Sequence, residues 1–246
     1  LSVAEAGYLT RLLAEGLFET AVTQEDCGAT KGLSVSFADG RLFIRANGEA
    51  IPFPSSNNTA ADLERLAWGR VPTGLNTPLS MSDLQTVLSF WNAGSARPEN
   101  VQNSPLIDHL VRNSGVLQLR SPLFCTAEAP GLCRLCCGAD ISGKPYDRRT
   151  LLPIGTHVGV NAAQAIGERG TQLAMKRFHS VGSVAAPIDR LKSVLLKHSE
   201  LSGSEALHMR LRELLTDVLC DSEKEPGRAL KDLPQQFIHY EIALRD

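Results

Sequence analysis

No stretch of this sequence reaches the roughly 20 uninterrupted apolar residues that would span a bilayer, and its start lacks the basic-then-apolar order of a secretory signal. A membrane-embedded or secreted protein is thereby disfavoured, and a cytoplasmic one is expected. Nor is there an excess of either charge: 25 Lys and Arg stand against 27 Asp and Glu, for a net charge of −2 and a pI near 6.3. Such a chain cannot grip DNA through a broad basic surface, because that affinity comes from neutralising phosphates, so any nucleic-acid contact must be local or shared with partners. Internal repeats and low-complexity tracts are missing too, which removes solenoids. What remains is 246 residues, 43% hydrophobic and 21% charged, the balance of a globular protein with one large domain or two or three small ones. The first residue is Leu1 and opens into helical sequence, so a piece of a longer chain is expected.

Residues 3–17 place Ala4, Tyr8, Leu9, Leu12, Leu13 and Leu17 at helical intervals, predicting an amphipathic helix that ends near Gly16, then an extended segment over 19–23. Two alternating runs, 33–37 and 41–45, flank Asp39-Gly40, a dipeptide suited to a tight hairpin. Residues 51–58 hold two prolines, two serines and two asparagines and read as a surface loop. Ser80 followed by Asp83 predicts a capped helix start ahead of Leu84, Val87, Leu88 and Trp91. Ser104-Pro105 and Gly115 bracket a short helix over 106–111, followed by a strand over 116–120. Residues 156–179 read as two helices around a hinge at Gly167–Gly170, a segment that lacks the lysine and serine of a phosphate-binding P-loop. Leu207, Leu211, Leu214, Leu215, Val218 and Leu219 form one helical stripe, 221–227 a linker, and 234–245 a last helix. The fold class is α+β.

Six cysteines without a secretory signal favour a metal site or reduced thiols over disulfides. Cys125, Cys133 and Cys136 have the form C-x7-C-x2-C, in which the Cys-Arg-Leu-Cys knuckle lets two thiolates converge on one ion. Zinc takes four such ligands, and Cys27 is the natural fourth, which would tie the N-terminal helix to the ribbon. Cys137 follows a ligand directly and is expected to point away, while Cys220 belongs to an apolar helical face. The alternative is a set of buried reduced thiols. Four sulfurs leave no open coordination position, so the site reads as structural.

Longer motifs carry a family resemblance. Arg120-Ser121-Pro122-Leu123-Phe124-Cys125, Gly131-Leu132-Cys133-Arg134-Leu135-Cys136-Cys137-Gly138-Ala139-Asp140, Gly159-Val160-Asn161-Ala162-Ala163-Gln164-Ala165-Ile166-Gly167-Glu168 and Gly170-Thr171-Gln172-Leu173-Ala174-Met175-Lys176-Arg177-Phe178-His179 occur in one order. Together they resemble the largest subunit, β′, of bacterial-type DNA-directed RNA polymerases. Gly7-Tyr8-Leu9-Thr10-Arg11 is similar to the end of that family's bridge helix, Asp26-Cys27-Gly28 to its first zinc cysteine, and Trp68-Gly69-Arg70-Val71 also has a counterpart. His239-Tyr240-Glu241 and Arg245 are similar to a helix near the β′ C-terminus. The resemblance implies a fragment of a multi-domain subunit: 1–24 as the bridge-helix end and a strand, 25–150 as a mixed module with a zinc ribbon, 151–200 as a trigger-loop-like helical hairpin, and 201–246 as C-terminal helices.

It further implies a nucleotidyltransferase component that closes over the incoming nucleoside triphosphate. Gln172 would face the ribose, Met175 would pack on the base, and Lys176 and His179 would approach the phosphates, where positioning and charge complementarity dominate phosphoryl transfer. One structural zinc would sit in the chain. The catalytic magnesium would be held elsewhere, since Ala38-Asp39-Gly40 and Gly138-Ala139-Asp140 carry only single aspartates. Implied partners are the rest of β′, the β, α and ω subunits, a σ factor, template DNA, the RNA transcript and NTP, with a nucleoid location and no membrane. Departures from the family pattern fall at Val3, at Arg169, at Lys176 where arginine is usual, and at Val181. Residues 187–196 stand where the second trigger helix is expected. A second reading is therefore a degenerate β′-like zinc-ribbon protein that binds a partner and takes no part in catalysis.

Overall fold

The computed structural model describes residues 3–46, 49–53, 58–94, 104–140, 150–177 and, near the end, 238, 239, 241–243 and 245. The chain divides into two units, Leu1–Ala21 with His157–Asp246, and Val22–Thr156.

In the Val22–Thr156 unit, strands β1 (Val22–Gln24), β2 (Leu33–Ala38), β3 (Arg41–Ala46) and β4 (Glu49–Pro52) are followed by helices α1 (Thr59–Ala67), α2 (Met81–Asn92) and α3 (Pro105–Arg112). Strand β5 (Leu117–Leu119), a 3-10 turn at Pro122–Phe124, strand β6 (Leu132–Cys133) and the one-turn helix α4 (Arg134–Cys137) complete it. An antiparallel sheet runs in the order β4-β3-β2-β5, and β1 pairs with β6 in parallel. Asp39 and Gly40, both at positive φ (50° and 73°), close the β2–β3 hairpin with Ala38 opposite Arg41, the two-residue geometry that follows the strands' twist.

Leu33, Val35, Ile44, Leu117 and Leu119 of the sheet are fully buried, as are Leu63, Val87, Ile107 and Leu110 of the helices. Trp91 donates its indole N–H to the carbonyl of Gly115 at 2.7 Å and stacks on Phe37 with centroids 5.6 Å apart. The start of α2 has the expected reciprocal cap: the Ser80 backbone N–H donates to the Asp83 carboxylate at 2.8 Å and the Asp83 N–H to the Ser80 hydroxyl at 3.3 Å.

Two expectations are corrected. Residues 51–58 are not wholly a loop, because Ile51 and Pro52 end β4, opposite Ile44 and Phe43, and Asn58 caps α1 by accepting the Ala61 N–H. Proline is tolerated there because β4 is an edge strand, where its missing N–H breaks no inner ladder. The hinge at Gly167–Gly170 is absent. One helix runs unbroken from Val158 to Arg177.

That helix, α6, belongs to the other unit, where it packs on α5, the opening helix Val3–Gly16. Ala6, Leu9 and Leu17 are buried, as are Val158, Ala162, Ala163 and Ile166. Glycine persists in α6 because of close approach: a Cβ on Gly159 would collide with the Leu17 carbonyl, and one on Gly167 with the Thr10 side chain. Gly167, read as one bound of a break, is therefore a packing position, as is Gly159. Residues 238, 239, 241–243 and 245 are helical, as expected for the last helix, with Glu241 and Ile242 buried. Among the described residues, no helix is long and apolar enough to cross a membrane. The stripe over 207–219 and the segment 221–227 lie outside the described residues.

Candidate metal centre

Three local structures bring sulfur to one point. Cys27 follows β1 in a turn ordered by Asp26, whose carboxylate accepts the Gly28 N–H at 2.9 Å. Cys125 ends the 3-10 turn that Pro122 opens, with its N–H donated to the Pro122 carbonyl. Cys133 closes β6 and caps α4, its sulfur accepting the Cys136 N–H at 3.3 Å. Gly138 ends the knuckle at φ 83°, and a Cβ there would lie 2.6 Å from the Gly69 carbonyl oxygen. The turn thus needs glycine both for its left-handed backbone and for space.

The four sulfurs of Cys27, Cys125, Cys133 and Cys136 lie within 4.8 Å of one another, and those of Cys27 and Cys136 are 3.7 Å apart. A tetrahedral ion with bonds of about 2.3 Å to sulfur sets its ligands about 3.8 Å apart. The donor set therefore fits a tetrathiolate ion. All four cysteines lie within the Val22–Thr156 unit, so an ion shared among them would tie the ribbon to the segment after β1 rather than to the N-terminal helix, as had been expected. Cys137 is buried and is not one of the four, as expected.

Charge explains why these thiols suit a cation. The Cys133 thiol is held far below its usual range by hydrogen bonds with Cys125 and Cys136, supported by the Cys136 N–H and Arg120. Cys136 is driven upward by its hydrogen bonds to Cys125 and Cys133 and by burial, and Cys125 is raised to about 11, first by its hydrogen bond to Cys133. Burial raises Cys27, but bonds from Thr126 and from the Ala29 backbone outweigh it and leave it lowered. Two sulfurs, Cys27 and Cys133, are lowered and the other two raised, because like charges cannot crowd together unless a cation balances them.

Around the sulfurs stand residues that spacing had not singled out for a role. Arg120 donates to Cys27 Sγ at 3.3 Å, Cys133 Sγ at 3.5 Å, the Ala29 carbonyl at 2.8 Å and the Asp26 carboxylate. Arg134, inside the knuckle, makes a two-pronged ion pair with Glu25 (2.7 and 2.6 Å) and donates to the Leu152 carbonyl at 2.7 Å. Val71 packs with Cys133, Leu135 and Cys136, and Gly69 accepts the Ala139 N–H at 2.7 Å, so the Trp68–Val71 motif forms the floor of the knuckle. The available signal for Arg120 was a cation ending an apolar strand five residues before a cysteine ligand.

Gln172, Met175 and Lys176 stand on the last turns of α6, and nothing of their side chains is described; His179 and Cys220 lie outside the described residues.

A family model described as RNA polymerase Rpb1, domain 5, matches residues 1–229. Relatives include the DNA-directed RNA polymerase subunit beta′ of Aquifex pyrophilus, 31% identical over 202 residues, covering 81% of this chain and 11% of the relative. That of Bifidobacterium animalis subsp. lactis is 35% identical over 192 residues, covering 76% and 12%. That of Prochlorococcus marinus is 32% identical over 208 residues, covering 84% and 12%. The chain spans about a tenth of the length of these curated relatives.

Proposed function

Because the chain belongs to the largest-subunit family of RNA polymerases, as a region matching Rpb1 domain 5, we propose that it serves as one part of the β′ subunit of a DNA-directed RNA polymerase in the cytoplasm, at the nucleoid. The observation that carries this reading is the family match over residues 1–229, a span that contains all four clustered cysteines. In the assembled enzyme its partners are the rest of β′, the β, α and ω subunits and a σ factor, with template DNA, transcript and NTP. The magnesium ions of nucleotidyl transfer are held by residues outside this chain.

Cys27, Cys125, Cys133 and Cys136 hold one zinc. With four sulfurs bound, the ion has no position for water, so it supplies folding energy and no chemistry. The end of α6 supplies the closing helix of a trigger element. Gln172, Met175, Lys176 and His179 follow i, i+3, i+4, i+7 spacing, which suits one helical face turned to a nucleotide. Gln172 meets the ribose, Met175 the base, and Lys176 and His179 the phosphates, adding charge where it develops in the transition state.

Gln172→Ala and His179→Ala in the reconstituted polymerase test this reading through single-nucleotide addition. Rates are expected to fall roughly tenfold or more, as for contacts made in the transition state. Rates within a factor of about two of the parent remove the catalytic part. A second reading, a β′-like zinc scaffold that binds a partner without catalysis, is favoured by Lys176, which lacks arginine's bidentate fork for phosphate. That protein keeps its zinc and its assembly while both substitutions leave the rate untouched.

A further inference from the structure

Arg120 is the one cation touching the sulfur cluster among the described hydrogen bonds, and its side chain is only 5% exposed. Burying a guanidinium is costly unless its charge is answered nearby. Its N–H groups are spent on two sulfurs, one carbonyl and one carboxylate, while Nε has no partner. A residue kept only for packing would not accept an unpaired buried donor. The compensating interaction is that of Nη2, which donates towards Cys27 Sγ and Cys133 Sγ as well as Asp26, cysteines 106 positions apart, one in the turn after β1 and one at the end of β6. Asp26, next to Cys27, clamps the same guanidinium while it orders the Cys27 turn through Gly28.

We infer that Arg120 is a positioning residue of the metal centre: with Asp26 as its anchor, its N–H···S bonds fix Cys27 and Cys133 and offset part of the twofold negative charge of a divalent tetrathiolate. This rests on the zinc reading above and deepens it. Four thiolates around a divalent cation leave two negative charges in a largely buried place. Donors outside the ligand set that hold and neutralise the sulfurs govern how slowly such an ion leaves.

The test uses the full chain, loaded with zinc or with cobalt(II), in the parent and in Arg120→Gln, Arg120→Lys and Asp26→Asn. Zinc transfer to a chromogenic chelator is expected to be roughly ten- to a hundredfold faster in Arg120→Gln. Arg120→Lys, which keeps the charge but cannot reach the Ala29 carbonyl and the sulfurs from two separate nitrogens, is expected between it and the parent. Asp26→Asn is expected to speed release to a smaller degree, and because Asp26 is half exposed it decides the matter should Arg120→Gln fail to fold. The thiolate-to-cobalt charge-transfer band should move to lower energy in Arg120→Gln, because sulfurs stripped of hydrogen bonds donate more strongly; general loosening of the fold does not produce that shift. Parent-like release and an unmoved band in the folded variants overturn the inference and leave the zinc site standing. A parent chain that binds neither ion overturns the zinc reading itself.

Discussion

Single residues decide whether the cluster closes. Cys27 is the ligand farthest in sequence from the other three, and Cys27→Ser is expected to bring zinc content towards zero; one zinc per chain retained in that variant, by elemental analysis, removes Cys27 from the site. Gly138→Ala is expected to destabilise the Val22–Thr156 unit by about 1–3 kcal/mol, since it combines a left-handed backbone with a Cβ pressed on the Gly69 carbonyl. Its urea midpoint reads that directly. His109 carries a pH dependence: burial lowers its pKa, helped by Arg112 and opposed by a backbone bond, and its ring accepts the Gln118 N–H at 3.2 Å. The unfolded chain binds the proton more readily, so stability is full above the ordinary imidazole value of about 6.5 and falls as pH drops below it. Denaturation at pH 7.5 and 5.5 should show a smaller acid loss in His109→Gln than in the parent.

At the level of elements, sequence periodicity located most pieces because each had its own local chemistry. Asp39-Gly40 fixed a hairpin, and Ser80 with Asp83 fixed a helix start. The misreadings share one cause: Pro52 and Gly167 are breakers by local propensity, but an edge position excuses the first and close helix packing employs the second. Alanine substitution separates the two uses of glycine. Gly167→Ala should loosen the α5–α6 pair by about 1–3 kcal/mol through its collision with Thr10, raising amide exchange in both helices. Gly7→Ala, in α5 with nothing within 4 Å of the new Cβ, should stabilise the helix by about 0.5–1 kcal/mol.

For the whole molecule, the four clustering cysteines were legible because thiol spacing is a covalent fact of the chain. Arg120, Arg134 and Glu25 were not, since the charge that meets a sulfur or closes a knuckle is chosen by the fold, across separations such as the 109 positions between Arg134 and Glu25. Chelation tests how far the centre holds the Val22–Thr156 unit together. Removing the ion is expected to lower the melting temperature and expose Cys133 and Cys136 to thiol reagents, with zinc addition restoring both; unchanged melting makes the centre dispensable for folding.

The distance between Cys27 and Cys136 also bears on how the protein is made. Cys27 leaves the ribosome 109 residues ahead of Cys136, an interval of roughly 5 to 20 s at ordinary rates of translation. Throughout it the first ligand is a bare thiol without β6 to pair beside it, open to oxidation and to scavenging of the wrong ion. The other three cysteines emerge almost together, so on the zinc reading proposed above metal capture belongs to the moment the knuckle appears, and a cell short of zinc then would leave nascent chains for its proteases.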